Sequence, residues 1–167
     1  MKKLYGIIMF VVLVLIDQVT KILIVNNFSL GEELELIKGV FSFEYIRNTG
    51  AAWGIMPNGT SFFAVFSSIV CVFLIILYFK IPLEKKYKLF SSIIVLLTAG
   101  AVGNLIDRCI RKYVVDFLYF KLIDFPVFNV ADIYVTVAGF MLIFTVLFYY
   151  KDEDFDFLSF KFNKKSK

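Results

Sequence analysis

The sequence contains no histidine. That one absence removes the base of a serine triad, the partner of a cysteine nucleophile and the ligands of an HExxH zinc centre. Any catalysis must run on other groups, with no metal and no cofactor expected. Cysteine is scarce as well: Cys71 lies in an apolar run and Cys109 in a polar one, without CxxC spacing. This excludes a disulfide framework or a cysteine zinc site and leaves both to packing. Charged residues make up only 19% of the 167, and no glycine-rich nucleotide loop or internal repeat is visible. No nucleic-acid partner is expected.

What the chain has in excess is apolar surface. Hydrophobic residues make up 60% and the mean hydropathy is +0.81, whereas apolar residues are roughly half of a soluble domain. Charges fall in clusters that separate four long apolar runs, at residues 4–25, 61–79, 89–106 and 130–150. Each has the roughly 17 to 25 residues that cross a hydrocarbon core. The fold class predicted is therefore membrane α-helical, with four transmembrane helices in a single integral membrane domain over residues 1–167. The first run follows Lys2 and Lys3, as a signal peptide would, but Asp17, Gln18 and Lys21 stand where small cleavage-site residues belong. It reads as a retained helix.

Orientation follows from lysine and arginine counted loop by loop. Eleven cations (Lys2, Lys3, Lys80, Lys85, Lys86, Lys88, Lys151, Lys161, Lys164, Lys165 and Lys167) share one side, against six (Lys38, Arg47, Arg108, Arg111, Lys112 and Lys121) on the other. Both termini are then cytoplasmic, and residues 26–60 and 107–129 lie outside. In the first stretch Phe41, Phe43 and Tyr45 alternate with Ser42 and Glu44, after a turn at Lys38 and Gly39. This pattern predicts a short hairpin over residues 38–46, lying on the outer leaflet. Pro57, Asn58 and Gly59 break the chain before the second helix. The acidic and basic tail from Asp152 onward reads as a solvated or surface-lying end without chemistry.

Ionisable groups inside membrane helices cost several kcal/mol, roughly 3 each on insertion scales, so each needs a partner or a purpose. Asp17, Thr20 and Lys21 share a helix face, and Asp17 can pair with Lys21. That pair fixes helix register or supports a polar site nearby. Asn48, Thr49, Gly50, Ala51, Ala52 and Trp53 combine small residues suited to close approach with an interfacial anchor in Trp53, although a plain interfacial turn explains them equally. In residues 100–108, Gly100 and Gly103 permit tight helix crossing while Asn104 and Arg108, one turn apart, project polar groups. The last cluster joins Val114, Val115, Asp116 and Phe117 to Phe128, Asn129, Val130, Ala131 and Asp132. Asn129 and Asp132 have the spacing of a capping box, and Asp116 has Arg111 and Lys112 nearby for a salt bridge. Neither local role explains two aspartates at one membrane level, each among apolar neighbours.

Two carboxylates in a low-dielectric site hold one proton between them. The ionised member can take a proton from a water attacking an amide carbonyl, while the protonated member stabilises the oxyanion and helps the nitrogen leave. No histidine is needed. With these motifs in order, at Asp17 to Lys21, residues 48–53, residues 100–108, Val114 to Phe117 and Phe128 to Asp132, the chain resembles the bacterial lipoprotein signal peptidases, also called signal peptidase II. The resemblance implies a helical membrane fold with a small extracytoplasmic sheet, in the bacterial cytoplasmic membrane. It implies Asp116 and Asp132 as an aspartic peptidase dyad, with Asn48, Gly50, Asn104, Arg108 and Asn129 at the site and Asp17 and Lys21 in support. It further implies as substrate a lipid-modified prolipoprotein cut just before a diacylglyceryl cysteine; apart from the resemblance, a monomer among membrane phospholipids is expected. Two positions depart from the family pattern: Ile133 stands where a small residue is expected and Ala101 where a second glycine is frequent; both concern packing.

Two other classes remain beside this reading. Asp116, Asp132, Asn104 and Asn129 also offer oxygen ligands for a hard cation in a small ion-binding or transport protein. The outer loops could instead hold a protein partner, which leaves the paired aspartates without a purpose.

Overall fold

The computed structural model of the protein describes residues 3–50 and 59–158. Four helices carry the apolar runs: α1 (Lys3–Asn27), α2 (Thr60–Lys80), α3 (Lys88–Ile110) and α4 (Val130–Phe148). All four are long and apolar enough to cross a membrane. Half of the most apolar stretch of α3 is buried, against 17% in each of the others. Thus α3 is the centre, and α1, α2 and α4 all pack on it.

The reason lies in its small residues. A Cβ on Gly100 would sit 2.5 Å from the Ala131 carbonyl oxygen and 2.7 Å from Val135 Cγ2. One on Gly103 would sit 2.5 Å from Asp17 Oδ2 and 3.2 Å from Ala131 Cβ. Without side chains at these two positions α1 and α4 close onto the same stretch of α3, which brings their polar residues together. Ala101 is only partly buried and Ile133 is turned outward, so neither bulkier residue wedges this contact.

At one end of the bundle stands an antiparallel sheet of order β1-β2-β3, with strands β1 (Glu33–Ile37), β2 (Phe41–Asn48) and β3 (Val114–Tyr119). The expected hairpin is present. Its turn contains Gly39 at φ +69°, a left-handed conformation that glycine adopts without steric penalty. The expected alternation is not regular: Ser42 and Tyr45 are the buried residues of β2. A register shift between Phe43 and Ile46 against β3 moves the pattern by one residue. β3 lies in the outer stretch 107–129, where no strand was expected. It sets Val114 opposite Asn48 and Asp116 opposite Ile46. Ile24, Tyr45, Val115 and Phe117 form a core that joins the sheet to the end of α1.

Two further boundaries differ from expectation. α3 continues to Ile110 rather than ending near residue 106, so Asn104, Asp107 and Arg108 keep helical spacing. The tail is also not simply solvated: Asp152–Leu158 forms a 3-10 turn whose Phe155 and Phe157 are half-buried against Tyr87, Phe90 and Tyr150. Asp154 pairs there with Lys86 at 2.7 Å. Tyr150, included in the fourth apolar run, instead lies past the helix and donates its hydroxyl to the Lys86 carbonyl at 2.8 Å. Ala51, Ala52, Trp53, Pro57 and Asn58, which sequence reading singled out, lie outside the described residues.

Candidate active site

The site begins with a fully buried lysine. Lys21, one turn after Asp17 on α1, directs its ammonium to Asp17 Oδ2 at 3.0 Å, Asp107 Oδ2 at 3.2 Å and Asn104 Oδ1 at 2.9 Å. Three donors meet three acceptors, so the ammonium is saturated. The other oxygen of Asp17 accepts the Ala131 N–H at 2.9 Å, binding α1 to the first turn of α4. Asp107 also pairs with Arg111 and accepts the Val115 N–H at 3.0 Å, which fixes β3 to the end of α3. Two cations thus balance two carboxylates. Removing one partner from such a buried group typically costs about 3–5 kcal/mol. Thr20 does not join them; its hydroxyl donates to the Asp17 carbonyl of its own helix at 2.8 Å.

Three asparagines carry the network onward. Asn104, its oxygen held by Lys21, donates its amide to Asp132 Oδ1 at 2.8 Å. Asn129 caps α4: its Oδ1 accepts the Asp132 N–H at 3.1 Å, and Asp132 Oδ2 accepts the Asn129 N–H at 3.1 Å. The predicted capping box is therefore present. The Asn129 amide donates to Asp116 Oδ1 at 2.6 Å and to Asn104 Oδ1 at 3.0 Å. Asn48, at the end of β2, donates to Asp116 Oδ2 at 3.0 Å while its own oxygen accepts the Gly50 N–H at 2.9 Å. Asp116 makes no ion pair with Arg111 or Lys112; Arg111 goes to Asp107, and Lys112 donates to the Cys109 carbonyl.

Asp116 and Asp132 both border one cavity of about 650 Å³. Asn48, Asn104, Arg108 and Thr136 complete its polar wall. Phe120, Ile123, Phe125, Pro126 and Phe128 form an apolar wall from the segment after β3, and Ile133 and Val137 extend it along α4. The Arg108 guanidinium lies 5.5 Å from the Phe63 ring centre, with a long 3.5 Å contact to the Gly50 carbonyl. Burial pushes the Asp116 carboxyl up to about 7; the Asp132 charge adds to this, and the Asn48 and Asn129 hydrogen bonds oppose it. At that value a proton is held close to neutral pH.

Each predicted site residue therefore falls in one connected cluster. Asp17 and Lys21 do not line the cavity; Lys21 reaches its wall through Asn104. Asp107 belongs to the polar helix end that the sequence marks but was not among the expected site residues, although it is completely buried and holds Lys21, Arg111 and β3. The available signal was the i, i+4 spacing of Asp107 and Arg111 at a membrane-helix end. The aromatic density of residues 117–128 was the signal for the apolar wall.

The model of the family described as Signal peptidase (SPase) II matches residues 9–148. A lipoprotein signal peptidase from Symbiobacterium thermophilum is 43% identical, over 85% of this chain and 94% of its own length. One from Enterococcus faecalis is 44% identical, over 81% and 82%. A bacterial membrane enzyme solved by the in meso method at 2.3 Å shares 34% identity, with a TM-score of 0.77 and coverage of 98% of this chain and 94% of that one. A second such structure, at 1.9 Å, shares 35% with a TM-score of 0.75. With four spanning helices and matches over most of its length, the chain belongs to the signal peptidase II family of peptidases.

Proposed function

We propose that this protein removes the signal peptide from diacylglyceryl-modified prolipoproteins, cutting before the lipid-modified cysteine, with Asp116 and Asp132 as its catalytic dyad. The observation that carries the reading is that β3 and the first turn of α4 deliver two carboxylates to one cavity, both hydrogen-bonded to Asn129. One proton is shared between them. The ionised member takes a proton from water as the water oxygen bonds to the scissile carbonyl carbon. The protonated member gives its proton to the carbonyl oxygen, so a neutral gem-diol forms. In the second half the first member passes its proton to the amide nitrogen, the C–N bond breaks, and a diol hydroxyl returns a proton to the other. The dyad ends with one proton, as it began.

The cavity suits such a substrate. Its polar wall holds the peptide bond and Arg108, while the phenylalanine-lined wall matches acyl chains or an apolar signal segment that arrives by lateral diffusion in the bilayer. By the distribution of lysine and arginine, both termini face the cytoplasm and the site lies at the extracytoplasmic face of the bacterial cytoplasmic membrane. Residues 1–167 act as one domain and a monomer.

The ion-binding alternative is disfavoured by the asparagines. A cation needs their oxygens, yet Asn104 Oδ1 faces Lys21, Asn129 Oδ1 faces the Asp132 N–H and Asn48 Oδ1 faces the Gly50 N–H. Their N–H groups, which repel a cation, face the aspartates. The test is cleavage of purified diacylated prolipoprotein in detergent, with the product identified by mass spectrometry. The expected product begins at the lipid-modified cysteine; a cut elsewhere, or equal cutting of unlipidated precursor, would refute the substrate assignment. The hairpin pairs through β2 with β3, which carries Asp116, so replacing residues 34–46 by a flexible linker should lower turnover of the lipidated substrate; unchanged turnover would show that the hairpin does not hold the site.

A further inference from the structure

Resting on the dyad reading, we propose that Lys21 is a positioning residue that acts through Asn104 to make Asp132 the ionised base, leaving the shared proton on Asp116. The hydrogen bonds around Asn104 give the argument. An ammonium is donor-only, so Lys21 at 2.9 Å compels Asn104 to present its oxygen towards α1. The Asn129 amide, donating at 3.0 Å, takes the second lone pair of the same oxygen. The Asn104 amide nitrogen is thereby turned to Asp132 Oδ1 and has only hydrogens to offer. Hydrogen bonds polarise one another along such a chain, so the Lys21 charge strengthens the donor that reaches Asp132.

The second oxygen of Asp132 receives the Asn129 N–H, one of the N–H groups without an intrahelical partner at the positive end of α4. Asp116 stands differently. Its two donors are neutral amides, Asn48 and Asn129, on a strand that has no comparable dipole. Asp116 is also the more enclosed of the two, 2% exposed where Asp132 is only half-buried.

The other charges around the pair do not reverse this order. On α1 the Asp17 carboxylate is spent on Lys21 and the Ala131 N–H, and on α3 Asp107 is paired with Lys21 and Arg111. Arg108, also on α3, directs its guanidinium to the Gly50 carbonyl at 3.5 Å rather than to either aspartate. The carboxylate that takes the proton from water is then Asp132. The group that protonates the carbonyl oxygen, and receives a proton back from the diol on collapse, is Asp116.

Infrared difference spectroscopy of the purified full-length protein tests this, reading the carbonyl stretch of a protonated carboxylic acid at about pH 5.5, between ordinary carboxylate values and neutrality. The Asp132→Asn protein should keep that band, carried by Asp116, and the Asp116→Asn protein should lack it. The reverse pattern, the band in both, or the band in neither would overturn the assignment. The role of Lys21 is read by adding the charge-neutral pair Asp17→Asn and Lys21→Met to Asp116→Asn, which leaves the Asp107–Arg111 pair in place. The band should then appear at Asp132; its absence in a folded protein would reduce Lys21 to a structural role. Should that triple variant not fold, the single variants still decide the assignment. Failure of the dyad reading looks different: either single variant would cleave substrate at the normal rate.

Discussion

Asn129 and Asp132 close a reciprocal pair, each accepting the other's backbone N–H on a side-chain oxygen at 3.1 Å. This arrangement starts α4 and at the same time leaves both Asn129 amide hydrogens for Asp116 and Asn104. Capping and the site are therefore one construction. Asn129→Ala should cost about 1 kcal/mol of stability from the lost cap. Its effect on turnover should be much larger, a fall of about 100-fold in kcat as both aspartates lose their alignment. Thermal melts with steady-state kinetics check both numbers, and kcat within twofold of the parent would count against the role of Asn129.

The pH dependence has a definite sign. The folded carboxyl of Asp116 is raised to about 7 from 3.8, so between these values the folded protein holds a proton that the unfolded chain has lost. Its contribution to stability is complete below about pH 4 and is lost as pH rises through about 7. Cleavage should fall above neutrality as the shared proton departs. Thermal midpoints measured over the same range should decline with pH in the parent and decline less in Asp116→Asn; parallel slopes would contradict the assignment.

The glycine contacts predict a graded series. Gly100→Ala drives a methyl against the Ala131 carbonyl oxygen, which as backbone cannot yield cheaply, and should destabilise by roughly 1–3 kcal/mol. Gly103→Ala meets the Asp17 carboxylate, itself held by Lys21 and the Ala131 N–H, and should act similarly. Gly139→Ala has no atom within 4 Å of the new Cβ and should be neutral or slightly stabilising. Detergent-resistant folding of the three variants ranks them; a loss at Gly139 equal to that at Gly100 would mean that helix approach is not the cause.

Lys21→Met should destabilise by about 3–5 kcal/mol, because it leaves the Asp17 charge buried without its cation. The pair Asp17→Asn and Lys21→Met should recover at least part of that loss. Chemical unfolding of the two proteins checks the order, and a double variant less stable than the single one would show that the ion pair is not the reason for the cost.

Much of this was legible in the residues. Length and hydropathy place the four spans, since a bilayer imposes one element length, and polar residues inside the spans mark Asp17, Lys21, Asn104 and Asp132 because each must find a partner. The Gly39 turn and the Asn129 cap were readable as local signals. β3 was not, because Val114–Tyr119 becomes a strand by pairing with β2 some seventy residues earlier, a contact without a local signature. Nor was the choice of partner for Asp107, which depends on how α1 and β3 meet α3. The docking of Phe155 and Phe157 in the tail depends similarly on aromatic contacts with Tyr87 and Phe90.

The central claim is that Asp116 and Asp132 together perform the cleavage without a metal. Its most direct measurement is the turnover of diacylated prolipoprotein by purified parent, Asp116→Asn and Asp132→Asn proteins, each with and without chelator. Both variants should fold and lose cleavage by at least about 1,000-fold, and chelator should leave the parent unchanged. Normal turnover by either variant, or activity abolished by chelator, would contradict the account.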